Sequence, residues 1–191
     1  MKNKVSLAVA LLVVCAFTSF AQEDKKPPMD PAMMEAMMKA GTPGAEHKGL
    51  GSFAGTWNAK VSMWMAPGTD PSVMEGTAET RWIMGGRYLE QRFNGNYMGM
   101  PFEGLGYTGY DNVKKQYWST WMDNMSTGFM LQTGTADKYT GMMADPMTGK
   151  DMLVESRLKV ADPDSHAFEM WTPGPDGKMF KSMEIAYTRK K

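Results

Sequence analysis

The sequence is poor in the side chains on which most protein chemistry depends. One of its 191 residues is cysteine, Cys15, and two are histidine, His47 and His166. A single thiol excludes a disulfide framework and a cysteine-based zinc site. Neither histidine has a second ligand at metal-site spacing, and both read as exposed surface positions. Charge of one sign is missing too: 21 basic residues face 21 acidic ones. With no basic excess to neutralise phosphates, nucleic acid is excluded as a partner. No serine sits in a G-x-S-x-G elbow, and no two acids are fixed at a glycosidase separation, so catalysis finds no support. Beyond the N-terminus no apolar run approaches the ~18 residues of a spanning helix.

Residues 1–21 read as a signal peptide. Lys2 and Lys4 form a positive start, Val5 to Phe17 an apolar core, and Ser19-Phe20-Ala21 a small-residue cleavage site. Cleavage after Ala21 sends the chain to the periplasm or the exterior and removes Cys15. A lipid anchor on Cys15 is the alternative, but Val14 stands where a small residue is wanted. Residues 22–52 form a leader. Within it Asp30-Pro31 is an N-cap followed by proline at the first helical position, and Gly41 is a stop. Met33, Met34, Met37 and Met38 fall on one face of this short helix, which is expected to dock over one end of the fold.

Residues 53–191 form one domain. From Gly55 to Thr188 ten extended runs alternate with turn signals at intervals of about ten residues, among them Gly85-Gly86, Asp111-Asn112 and Pro175-Asp176-Gly177. Several runs alternate cleanly. Trp57, Ala59, Val61 and Met63 oppose Asn58, Lys60 and Ser62, and Leu89, Gln91 and Phe93 oppose Glu90 and Arg92. One apolar and one wet face per strand suits an antiparallel sheet, and closure into a barrel removes the exposed edges. Gly104-Leu105-Gly106-Tyr107-Thr108-Gly109 spells G-x-G-x-x-G, yet a turn follows it rather than a helix. The glycines therefore serve a bend in a curved sheet, not a dinucleotide.

Gly55-Thr56-Trp57, opening the first strand after a helical leader, resembles the G-x-W signature of lipocalins, in which the tryptophan packs across the closed end of the barrel. The wider stretch from Phe53 to Lys190 resembles a bacterial family known as the domain of unknown function numbered fifteen seventy-nine. The matching segments are FAGTW, RWIMGGRYLEQ, MGMPFEGLGYTGYDN, TWMDNMSTG, DPMTGK and GPDGKMFKSMEIAYTRK. The resemblance implies a lipocalin-like barrel in an exported protein. It carries no catalytic residues with it.

The expected fold is thus all-β: an antiparallel, lipocalin-like barrel of about ten strands with a short N-terminal helix. The expected function is binding of a small apolar or amphipathic molecule in its cavity, with no cofactor. Candidate ligand-binding residues are Trp57, Gln91, Tyr110, Trp121, Asp123 and Tyr187, polar or amphipathic groups on otherwise apolar faces. Three other readings stay open. The 22 methionines would let Met33, Met34, Met37 and Met38, with His47 downstream, handle copper(I), a soft ion. An enzyme would show a titrating group of shifted pKa in a polar cavity. A structural envelope module would show an exposed apolar patch. Oligomeric state is not legible.

Overall fold

Alternating apolar residues over ten short runs produce ten strands. The structure, a computed structural model, describes residues 29–191. The expected signal segment, Cys15 and the first residues of the leader lie outside the described residues. The strands are β1 (Gly55–Met63), β2 (Ser72–Ile83), β3 (Tyr88–Tyr97), β4 (Met100–Asp111), β5 (Gln116–Asp123), β6 (Met130–Gly134), β7 (Lys138–Ala144), β8 (Asp151–Asp162), β9 (Ser165–Pro173) and β10 (Met179–Arg189). Each pairs antiparallel with the next, and β1 pairs with β10 to close the barrel. Closure leaves no unpaired edge.

Turn chemistry sets the strand ends. Met84, Gly85 and Gly86 take successive positive φ values of 49°, 67° and 80° between β2 and β3. Strand β6 ends at Gly134 because Thr135 already turns: its N–H donates to the Lys138 carbonyl at 2.8 Å.

The inward parity matches the apolar one. Trp57, Ala59, Val61, Met74, Ala78, Phe93, Ile185 and Tyr187 form the buried core. Many outward positions carry charges, whereas Leu131, Met142 and Leu153 form an exposed apolar row across β6, β7 and β8. Buried Glu90 accepts from Arg81 Nη2 and Arg92 Nε, both at 2.9 Å. The hydrogen bond from Arg92 is the largest influence holding its carboxyl below the usual range. Lys60, Glu75, Glu79, Lys159 and Glu184 share the outer parity of Glu90. Among the described residues no helix is long and apolar enough to cross a membrane.

Two helices and a 3₁₀ turn precede the barrel. Helix α1 (Pro31–Gly41) begins as its sequence dictates, with Asp30 Oδ1 accepting from Ala32 N at 2.9 Å. Its expected docking does not occur. Met33, Met34, Met37 and Met38 are all exposed and no residue of α1 is buried. Its tie to the barrel is at its C-terminal end, where Asn112 Nδ2 donates to the carbonyls of Ala40 and Thr42 at 3.1 and 2.8 Å. The end of the barrel is instead covered by the next two elements of the chain, α2 (Ala45–Gly49) and the 3₁₀ turn Leu50–Phe53, with Leu50 fully buried.

Both histidines are buried, contrary to expectation. His47 is 4% exposed, its Nδ1 accepts from Gly44 N at 3.1 Å, and its ring meets the edge of Tyr110. His166 is 7% exposed and stacks on Tyr187, with Trp57 and Phe53 meeting it edge-on. Strand parity places His166 inward, opposite Tyr187, a constraint invisible when the residue is considered singly.

Candidate ligand-binding cavity

The barrel encloses a cavity of about 470 Å³ lined by side chains from all ten strands and by Leu50 and Phe53 of the 3₁₀ turn. That volume lies within the range of small-molecule sites. Strand direction divides the lining into two zones. β1, β3, β5, β7 and β9 run away from the end covered by α2 and the 3₁₀ turn, and the even-numbered strands run back towards it. Residues late in odd strands or early in even ones therefore lie at the far end, which no helix crosses among the described residues.

That far half is methionine-rich. Met63, Met74, Met125, Met130, Met143, Met170 and Met183 line it, together with Tyr97 and Phe102. Met183 is the register partner of both Met63 and Met170, so three thioethers sit side by side across β1, β10 and β9. Flexible, polarisable side chains give a lining that adapts to the shape of an apolar guest.

The covered half is polar but uncharged. Thr80, Gln91, Thr108, Ser119, Gln132, Tyr139 and Tyr187 line it. Gln91 Nε2 donates to Thr80 Oγ1 at 3.2 Å, and Ser156 Oγ donates to Gln132 Oε1 at 3.0 Å. Burial pushes the Tyr139 and Tyr187 hydroxyls well above the ordinary tyrosine range, so both remain protonated donors. His166 lies here too. Burial, and then the nearby Arg189 charge, push its pKa down to about 4, leaving it neutral at physiological pH.

Four of the six residues singled out from the sequence line this cavity: Gln91, Trp121, Asp123 and Tyr187. Trp121 Nε1 donates to Asp123 Oδ2 at 3.0 Å, and Met125 N donates to Asp123 Oδ1 at 3.0 Å. Asp123 thus fixes the indole and the loop beside the far end. Trp57 and Tyr110 do not line the cavity. Trp57 Nε1 donates to the Phe53 carbonyl at 2.9 Å, and the Arg189 guanidinium lies over its ring at 4.1 Å. Tyr110 packs against His47 and Tyr117 beneath α2. Both belong to the seal of the covered end. The alternation of β6 and β7 could have found Gln132 and Tyr139, since Gln132 follows the inward Met130 by two and Tyr139 precedes the inward Met143 by four.

The glycine run of β4 has a sharper purpose than bending. A Cβ on Gly104 would stand 2.2 Å from the Trp121 ring, and one on Gly106 would stand 3.1 Å from it. These positions are bare so that the indole can lie flat along β4 and leave the lumen open.

The sequence profile of a family described as a protein of unknown function (DUF1579) matches residues 42–189. The chain belongs to that family. The DUF1579 match spans the 3₁₀ turn and all ten strands, so the covered end and the barrel form one inherited unit. No curated protein matches the chain. Among solved structures, Rv2717c from M. tuberculosis is similar with a TM-score of 0.57 and 13% identity, over 78% of this chain and 100% of that one. At that identity the likeness shows the barrel fold alone. A de novo designed fluorescence-activating beta barrel matches at a TM-score of 0.43 and 19% identity, over 73% of this chain and 95% of that one. That likeness is too distant to carry an argument.

Proposed function

We propose that this DUF1579 protein binds a small apolar or amphipathic molecule in its barrel, and that it does so after export. The observation that carries the reading is a cavity of about 470 Å³, apolar and methionine-lined at one end and hydrogen-bonding at the other. A filled barrel would have the same strands and no such space. Export rests on the N-terminal pattern of Lys2, Lys4, the apolar core and Ala21. The covered end makes the opposite end the entrance.

Native mass spectrometry of the protein, purified gently from its own host, tests the reading. A discrete organic adduct is expected, and Ser119→Phe, which fills the lumen, should lose it. A bare mass that persists after incubation with a panel of amphiphiles would overturn it.

Copper(I) handling is a second reading, favoured by one observation. The four thioethers of α1 are exposed and unpacked, hence free to ligate a soft ion. His47 takes no part in this reading, since it is buried against Tyr110 with Nδ1 accepting from Gly44 N. Copper(I) binding lost on replacing Met33, Met34, Met37 and Met38 by leucine would support it, and unchanged binding would remove it.

A further inference from the structure

Buried polar atoms without partners are costly, because their hydration is lost and nothing replaces it. Among the described residues, Thr120, Tyr139, Glu169 and Trp171 each have one such side-chain atom. Glu169 and Trp171 occupy the outward parity of β9, alternating with the lumen-facing Phe168 and Met170. Thr120 borders the cavity too, but it lies between the lumen-facing Ser119 and Trp121 of β5 and so has outward parity. Tyr139 is different. It is an inward residue of β7, 2% exposed, and it lines the cavity. Its neighbours do not serve it: Ser156 and Gln132 bond each other, and Gln132 Nε2 turns to the Val154 carbonyl at 3.5 Å. The fold has committed these neighbouring groups and left the inward Tyr139 hydroxyl unpaired.

We infer that Tyr139 is the head-group donor of the cavity, and that the natural ligand is an uncharged amphiphile whose oxygen acceptor enters first. The inference rests on the ligand-binding reading above and specifies its chemistry. A carbonyl or hydroxyl oxygen near Tyr139 Oη completes the unpaired donor, while the apolar body of the ligand lies among the methionines of the far half.

The charge inventory of the lumen decides between head groups. No lysine or arginine lines the cavity, and its one histidine is held neutral by burial. A carboxylate or phosphate at the covered end would be desolvated without a counter-charge, which is strongly unfavourable. An ammonium would find one acid, Asp123, but that residue is at the far end and already accepts from Trp121 and Met125. An alcohol, ketone or ester head loses least on entering and gains the Tyr139 bond.

The test uses Nile red, a neutral dye with a carbonyl oxygen, bound to the full protein and displaced by amphiphiles of equal chain length. Dodecan-2-one and dodecan-1-ol are expected to displace it at concentrations at least tenfold below those of dodecanoate and dodecylamine. Tyr139→Phe should weaken the ketone about three- to tenfold, the range of one hydrogen bond, and leave dodecanoate unchanged. Thermal melting of the ligand-free proteins supplies a separate readout. Tyr139→Phe removes an unpaired donor and should melt no lower than the wild type. A variant that melts several degrees lower would show that the hydroxyl already has a partner, such as a buried water, and would overturn the assignment. If dodecanoate or dodecylamine displaces best, or if Tyr139→Phe leaves the ketone unaffected, the head-group inference fails while the binding barrel stands. If neither Nile red nor any amphiphile binds, the binding reading itself fails and the inference with it.

Discussion

His166 shows how much one buried side chain can report. Its ring is held between Trp57, Phe53 and Tyr187, and burial pushes its pKa from 6.5 down to about 4. The fold favours the neutral form, so on acidification the unfolded chain takes up the proton first. Stability from this group is complete above pH 6.5, declines as pH falls towards about 4, and levels off below that. Urea unfolding at pH 5 should give a stability about 2 kcal/mol below that at pH 7 from this residue. His166→Phe should remove that part of the slope. Should the variant keep the full slope, the titration belongs elsewhere. Glycine makes the opposite case, where the absent side chain is the information. Gly104→Val would drive a branched side chain into the Trp121 ring. It is expected to lower stability by about 1–3 kcal/mol in chemical denaturation, and to disturb Trp121 fluorescence.

Among the elements, the two helical segments before the barrel contribute unequally. Helix α1 buries nothing, whereas Leu50 and Phe53 of the 3₁₀ turn line the cavity they close. Removing the residues up to Thr42 should therefore change stability by no more than about 0.5 kcal/mol. Leu50→Ala, by contrast, should cost about 2–4 kcal/mol through the void it leaves. Calorimetry of the two variants side by side checks the contrast. If loss of α1 proved as damaging as Leu50→Ala, the exposed methionine face would have a partner in solution.

For the barrel as a unit, the β1–β10 ladder that closes it is reinforced by Arg189. Arg189 Nη1 donates to the Ala54 carbonyl at 2.9 Å, Nη2 donates to the Pro163 carbonyl at 2.9 Å, and Nε donates to Asp164 Oδ1 at 3.0 Å. The same guanidinium lies over Trp57. It thereby joins β10 to the 3₁₀ turn, to β1 and to the turn between β8 and β9. Gly55 takes φ of 134°, a conformation that L side chains rarely adopt, and a Cβ there would also stand 2.4 Å from Arg189 Nη1. The glycine and tryptophan of the G-x-W signature are thus the two surfaces that receive this arginine. Arg189→Ala should cost about 2–3 kcal/mol, and Arg189→Lys most of the same, since an ammonium cannot stack and fork at once. Equal stability of the lysine variant in denaturant titration would show that charge alone suffices. A ligand that enters the closed barrel should raise its melting temperature with the logarithm of ligand concentration.

The number of strands, their order and their inward faces were legible in the amino-acid sequence. Those properties follow from period-two alternation and from turn residues, which act within a few neighbours along the chain. Gln91, Trp121, Asp123 and Tyr187 were legible as lumen residues for that reason. Local signals also suggested that the methionine helix would dock and that both histidines would be exposed, and there they misled. Burial of His47 and His166 depends on rings contributed by other elements, and docking depends on whether a surface of matching shape exists. Only the closed barrel decided that a short turn covers its end, that Trp57 and Tyr110 seal rather than line, and that Tyr139 is left with an unpaired hydroxyl. Each of these is set by contacts between residues distant in sequence, whose partners become defined when β1 meets β10.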